Sequence, residues 1–241
     1  MSSKKSVNIK DLIMGLGPLL ALVLLCIVLS FATDKFLHYS NFMNILKQAA
    51  INCLIASGML VVLITAGIDL SVGSNCVLSA CIMGVMMQHG ITNTPLLMAA
   101  ALFSGGLVGY INGLLLTKLN LPHPFVSTLG MKNIVLGIAL LITKATPIGF
   151  QNKGVDALLY LGSKTIKGFP ISFIVVMFLY GLFHIFLNQT ALGRNIYCVG
   201  GNAEASRLSG IDSKRVMRIV YTLSGLMCGL AGIVQIGRAH V

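Results

Sequence analysis

The chain has 241 residues, 56% hydrophobic and only 10% charged, with 17 Lys and Arg against 6 Asp and Glu. A soluble domain carries about 25% charged residues, because its surface must meet water; this composition excludes an ordinary soluble globule and makes lipid the outer solvent. The net charge of +11 is scattered over short segments between apolar runs, without a basic stripe or an aromatic platform, which excludes a nucleic-acid face and fits the charged loops of a membrane protein.

A membrane-crossing helix needs about 20 predominantly apolar residues. Apolar runs of about that length fall at 12–32, 48–66, 72–88, 95–117, 125–143, 170–187 and 217–235. The first follows Lys4, Lys5 and Lys10 and ends near Ser30-Phe31-Ala32, as a signal peptide would. Its apolar stretch, Leu12 to Phe31, exceeds the about 7–15 residues of a signal h-region, so an uncleaved first span is expected. The second and third runs are short and joined only by Gly67-Ile68-Asp69-Leu70-Ser71; one or both is expected to be tilted or broken at membrane depth. Asp69 stands almost alone as an acid in the apolar bulk. A carboxylate at the centre of a bilayer costs at least ~2.5–3.5 kcal/mol, so it faces protein, a water path or the membrane boundary. Two roles are open to it: a substrate-path or gate residue, or a turn residue capping the helix that starts at Val72.

In the fourth run Gly105, Gly109 and Gly113 recur every fourth residue, with Ser104 and Asn112 beside them. That spacing bares one helix face to the close approach of a neighbour. Gly225, Gly229 and Gly232 repeat the device in the last run. Pro122-His123-Pro124-Phe125 forbids a continuous helix before the fifth run, and His123, without a His, Cys or acid in local spacing, reads as a loop residue. Lys132 and Asn133 lie inside that fifth run.

Two connecting segments are long. The first, about 144–169, mixes polar and apolar residues. The second, about 188–216, interleaves Gly193, Gly200, Gly201 and Gly210 with Arg194, Glu204 and Arg207. Within it, Asn202 to Leu208 opens on a helix-capping residue and closes on Gly210, which predicts a short helix held between glycine turns. If the N-terminus is cytoplasmic, Lys4, Lys5, Lys10, Lys118, Arg194, Arg207, Lys214, Arg215 and Arg218 lie inside. Lys35, Lys47, Lys144, Lys153, Lys164 and Lys167 then lie outside. The positive-inside rule favours that orientation, chiefly through the arginines of 188–216.

Cys26, Cys53, Cys76, Cys81, Cys198 and Cys228 form no C-x-x-C pair, so neither a zinc site nor a thiol redox motif is indicated, and no other metal site is expected. They read as small apolar residues. The sequence contains no G-x-x-x-x-G-K-[ST] loop, so the chain is not expected to bind ATP in that manner. Without G-x-S-x-G, H-E-x-x-H or paired carboxylates it is not expected to be an enzyme, no catalytic residue is assigned and no cofactor is called for.

Three stretches together carry a resemblance. They are Ala66-Gly67-Ile68-Asp69-Leu70-Ser71-Val72-Gly73-Ser74; Ile111-Asn112-Gly113 with Pro124-Phe125-Val126-Ser127-Thr128-Leu129-Gly130; and Thr190-Ala191-Leu192-Gly193-Arg194 through Gly200-Gly201-Asn202 to Ser209-Gly210-Ile211. In this order and spacing, from about residue 40 to 235, the chain resembles the ribose/xylose/galactose-type permeases of bacterial ABC importers. The resemblance implies an all-α polytopic transmembrane bundle of the type II-like importer class, lying in the bacterial inner (plasma) membrane. It further implies a path formed by two permease chains, identical or different, a periplasmic sugar-binding protein, and separate cytoplasmic ATPase subunits. The implied function is monosaccharide translocation, with no nucleic-acid partner. Polarity and family position together make Asp69, Ser71, Asn112, Phe125 and Thr128 candidates for the path or its gate. The family's cytoplasmic coupling loop corresponds to 188–216, with Gly193, Arg194, Gly201, Asn202, Glu204 and Gly210 at matching positions. Gly105, Gly109 and Gly113 are assigned to helix packing. A branched-chain amino-acid permease and a secondary transporter are the alternatives, and a membrane-embedded lipid enzyme is a rival without supporting residues. The Gly-Ile-Asp-Leu-Ser run favours sugar.

The sequence departs from the family at His123 and Lys132, where neutral residues are usual. The family also continues for roughly three further spans. Ile236-Gly237-Arg238-Ala239-His240-Val241 is encoded by a string that looks like a sequencing adapter; the expectation is therefore a permease domain at 1–235, C-terminally truncated, and a non-native tail at 236–241.

Overall fold

The computed structural model describes residues 16–119, 121, 123–148 and 156–238. Lys4, Lys5, Lys10, Pro122, Lys153 and Ala239-His240-Val241 lie outside the described residues. Contacts divide the chain into two units, one running to Ile45 and the other from Leu46 onward.

In the first unit, α1 (Gly17–Ala32) carries Pro18 in its opening turn and ends where the Thr33 N–H reaches back to the Leu29 carbonyl. None of its residues is buried, as suits a helix whose outer solvent is hydrocarbon. α2 (Tyr39–Ile64) begins in this unit and ends in the second.

The second unit is built around α10 (Ser213–Arg238). The most apolar window of α10 is 67% buried, against 22% for that of α5 (Pro124–Ile142), which makes α10 the mast of the bundle and α5 a peripheral stay. α3 (Val72–Gln88) and α4 (Thr94–Lys118) flank α10. α4 starts crisply, because the Asn93 side chain accepts from the Leu96 N–H at 3.2 Å and Pro95 lies in the first turn. Ala50 and Leu54 of α2 pack with Cys76 of α3, Val176 of α7 (Ile171–Gln189) and Cys228 of α10. α5 lays Met131, Val135 and Ala139 against Leu78 and Val108. Lys132 and Asn133 lie on its exposed side, so the fifth helix is continuous despite them.

Residues 156–169 of the long connecting segment are more ordered than its composition promised. α6 (Asp156–Ser163) inserts Leu158, fully buried, beside Ile233 and Ile236 of α10, and Ser163 Oγ donates to the Gly237 carbonyl. α10 thus continues helically through Ile236 and Gly237. A two-residue hairpin follows, β1 (Thr165–Ile166) against β2 (Phe169–Pro170). Lys167 and Gly168 stand at its tip with φ of 48° and 89°, the left-handed pair that a type I′ turn requires. After α7 come α8 (Ala191–Gly201) and α9 (Ala203–Leu208), then α10. Among the described residues five helices, α2, α4, α5, α7 and α10, are long and apolar enough to cross a membrane; α1 and α3 are shorter apolar helices.

Candidate functional site

The run between α2 and α3 does break, and it breaks inside the bundle. α2 ends as the Gly67 N–H returns to the Val62 carbonyl at 3.0 Å, with Ala66 at a φ of 56°. Asp69 follows, 3% exposed, the one buried carboxylate among the described residues. Its Oδ1 accepts from the Ser71 N–H at 2.9 Å and from the Ser71 hydroxyl at 2.6 Å. The Ser71 oxygen accepts in turn from Asn112 Nδ2 at 2.8 Å, so one hydroxyl ties the turn to α4. Ser224 Oγ of α10 donates to Asp69 Oδ2 at 3.4 Å. The Ile68 carbonyl receives the Tyr221 hydroxyl at 3.3 Å and Thr128 Oγ1 at 3.4 Å.

Ser224 lies roughly 17 Å along a helix of about 39 Å at 1.5 Å per residue, which puts the turn well inside the bundle. Backbone groups freed at that depth must find partners in protein, and here α5 and α10 supply them to the Ile68 carbonyl. Asp69 forms a local turn with Ser71, but it does not cap α3 as one of its two expected roles required. The N-cap position of α3 belongs to Ser71, whose side chain makes no capping bond.

Four of the five path candidates therefore converge: Asp69, Ser71 and Asn112 in one network, and Thr128 on the neighbouring Ile68 carbonyl. Phe125, half exposed on the first turn of α5, stands apart. Ser224 and Tyr221 belong to the site, and only their position in a glycine-rich span hinted at them. Asn112 Oδ1 and Asn75 Oδ1 are buried without a partner among the described residues, so the network has unused acceptor capacity at the α3–α4 face.

The packing glycines hold this site together. A Cβ at Gly105 would stand 2.5 Å from the Gly225 carbonyl oxygen, and one at Gly113 2.8 Å from Arg218 Cα. At Gly109 it would run into the Tyr221 carbonyl oxygen. α4 and α10 therefore touch backbone to backbone, which fixes Asn112 and Ser224 on either side of the turn.

The segment 188–216 is almost wholly helical. Thr190 caps α8 by accepting from the Gly193 N–H at 3.0 Å. Asn202 caps α9 by accepting from the Ala205 N–H at 2.9 Å, and Gly210, at a φ of 84°, ends it. The expected short helix is there. The glycine turn expected before it is not: Gly193, Gly200 and Gly201 lie within α8. A Cβ at Gly193 would collide with the Phe186 and Leu187 carbonyls, and one at Gly200 with the Ile64 carbonyl at the end of α2. Arg194, Tyr197, Glu204, Arg207 and Leu208 are exposed. Arg207 pairs with Glu204 at 2.6 Å. That hydrogen bond holds the Glu204 carboxyl below its ordinary range and the guanidinium above its own. The pair's contribution is accordingly present at neutral pH and lost as the pH falls through the carboxylate range; on an open surface it is small and screened by salt. A hollow of about 420 Å³ joins this segment to the turn, with Thr65, Gly67, Thr117, Val199, Ala203 and Lys214 in its lining.

Comparison with known proteins fits this arrangement. The chain is 35% identical to the ribose import permease protein of Bacillus subtilis (strain 168), covering 99% of this chain and 73% of that one. It is 39% identical to the fructose import permease protein of Rhizobium meliloti, over 92% of this chain and 63% of that one. Against the D-allose transport system permease protein of Escherichia coli (strain K12) the identity is 33%, over 90% and 65%. No solved structure matches. Residues 41–240 match the family described as branched-chain amino acid transport system / permease component, and the chain, a multi-pass membrane protein, belongs to that family of permeases.

Proposed function

We propose that this chain is the membrane-spanning permease subunit of an ATP-driven importer that translocates a monosaccharide, with its N-terminus in the cytoplasm of a bacterial cell. A separate ATPase docks on α8–α9 and a periplasmic binding protein delivers the sugar. A second permease chain, identical or different, completes the path. The relatives named for ribose, fructose and allose import support sugar over amino acid as cargo.

The observation that carries the reading is the seating of Gly200 on the Ile64 carbonyl. The exposed faces of α8 and α9 offer a partner Arg194, Tyr197, Glu204, Arg207 and Leu208. Behind them Gly200 bears directly on the last turn of α2, and the next residues of the chain are the Asp69 turn. A displacement of α8 by a docked ATPase is thereby delivered to the turn by backbone contact. Coupling requires such an element, whose position biases two states of the path. Asp69, Ser71, Asn112 and Thr128 form the gate in this reading; Gly193, Arg194, Gly201, Asn202, Glu204 and Gly210 belong to the docking element.

The test is co-purification of an ATPase with the full gene product in detergent, comparing wild type with Arg194→Glu plus Glu204→Lys. Both side chains are exposed, so the fold survives the reversal. The expected outcome is an ATPase bound to wild type and lost from the variant. If no ATPase accompanies either, the importer reading falls and secondary transport takes its place.

A further inference from the structure

A second hollow, of about 360 Å³, lies at the other end of the Asp69 turn. It is lined by Gln48 and Asn52 of α2, Gly73 and Cys76 of α3, and Gln235 of α10, with Ile51 and Ile55 completing the wall. Three carboxamides from two helices thus face one space, and every helix that supplies them is apolar. The Cys76 thiol donates to Gln235 Oε1 at 3.2 Å, which fixes that amide. The side-chain amides of Gln48 and Asn52 make no hydrogen bond among the described residues.

Unpaired amides in hydrocarbon are costly, by several kcal/mol each against an apolar solvent. All three residues are exposed on the surface of this chain, and their grouping around one open groove makes that groove wet, or occupied by a ligand that hydrogen-bonds. Carboxamides offer two donors and an acceptor with two lone pairs, the complement of a hydroxyl group, which both donates and accepts. No charged side chain lines the hollow, so nothing in it would neutralise the ammonium and carboxylate of an amino acid. Its size is at the small end of ligand sites, ~300–1,000 Å³.

Resting on the importer reading above, we propose that Gln48, Asn52 and Gln235 form a sugar-binding subsite of the translocation path, on the far side of the turn from the coupling helices. It receives a neutral polyhydroxylated ring through amide–hydroxyl hydrogen bonds. Gly73 leaves the ring room at the start of α3, and opening of the turn releases it toward the hollow beside α8 and α9.

The experiment places single cysteines in a cysteine-free version of the full gene product, in membrane vesicles with its ATPase. Gln48→Cys and Asn52→Cys are compared with Leu60→Cys and Phe103→Cys, both exposed apolar positions. A charged thiosulfonate reacts only with thiols that water can reach, so the first pair should label about tenfold faster than the second. A panel of ribose, fructose, glucose and inositol, at millimolar concentration, is expected to include at least one sugar that slows labelling by about threefold or more, with valine inert. Labelling as slow as at Leu60→Cys would overturn the proposal, because lipid or a second chain would then cover the face. Protection by valine, or by no sugar, would equally overturn it. ATPase co-purification is scored from the same membranes, so failure of the importer reading shows as a missing ATPase, separately from the thiol pattern.

Discussion

Two sets of glycines do the same mechanical work in this molecule, and only one of them announces it. Gly105, Gly109 and Gly113 stand in register on α4 and meet Gly225 and its neighbours on α10. Gly193 and Gly200 of α8 sit just as tightly, on the carbonyl ends of α7 and α2. The first set repeats every fourth residue, so its face is visible in the sequence. The second belongs to a short helix crossing the ends of two longer ones, where no period exists to be seen. A glycine's spacing reveals a lengthwise seam; a crossing contact leaves no such trace. The lengthwise seam holds the bundle together, whereas the crossing contact is the one to which the proposed function assigns coupling.

Substitutions should separate those two roles. The largest effect is expected from Gly109→Val, where backbone faces backbone and neither helix can yield. Overpacking of this kind costs about 3 kcal/mol, and the variant should aggregate in detergent at temperatures that wild type withstands. Such a protein recovered intact and monodisperse after the same heating would contradict the seam. Gly200→Ala should act differently, lowering sugar uptake about tenfold, equivalent to ~1.4 kcal/mol of lost coupling, while ATP hydrolysis by the assembled importer persists. Gly181→Ala is its control: on the exposed face of α7 a Cβ there meets nothing within 4 Å, and alanine is the better helix former, so uptake and stability should hold. Equal damage at 200 and 181 would dissolve the distinction between crossing contact and solvent face. A smaller effect than that of Gly109→Val is expected on stability at the turn, where Ser71→Ala strips both Asp69 and Asn112 of a partner. Leaving buried groups unpaired costs about 1–3 kcal/mol, to be read from the thermal midpoint, and Ser71→Thr should restore most of it.

Much of the architecture was legible because hydrocarbon imposes a simple rule on composition. Within the described residues all seven apolar runs became helices. The second began earlier than its apolar stretch, since Asn41, Asn44 and Lys47 are carried within α2. The last likewise began at Ser213, because Lys214 and Arg215 ride its first turn ahead of the apolar stretch. The break around Asp69 could be read from one acid between two short runs. Its partners could not, since Ser224 is a single hydroxyl among apolar residues and its role depends on where α10 crosses. The hairpin at 165–170 was missed because its turn is Lys-Gly and its strands are two residues each, too short for alternation to show. Gln48, Asn52 and Gln235 were overlooked for a related reason: the first two and the third are almost two hundred residues apart, and proximity alone gives them meaning.

The order in which the chain is made gives the Asp69 turn one more property. Ser71 is at hand within two residues, but Asn112 arrives 41 residues after Ser71, and Ser224 155 residues after Asp69. α3 itself, 17 residues long, spans only about 25 Å, less than the ~30 Å of a bilayer core. A growing chain therefore holds a short helix and an incompletely partnered acid until α10 is made. The network closes only when α10 comes to lie beside α4.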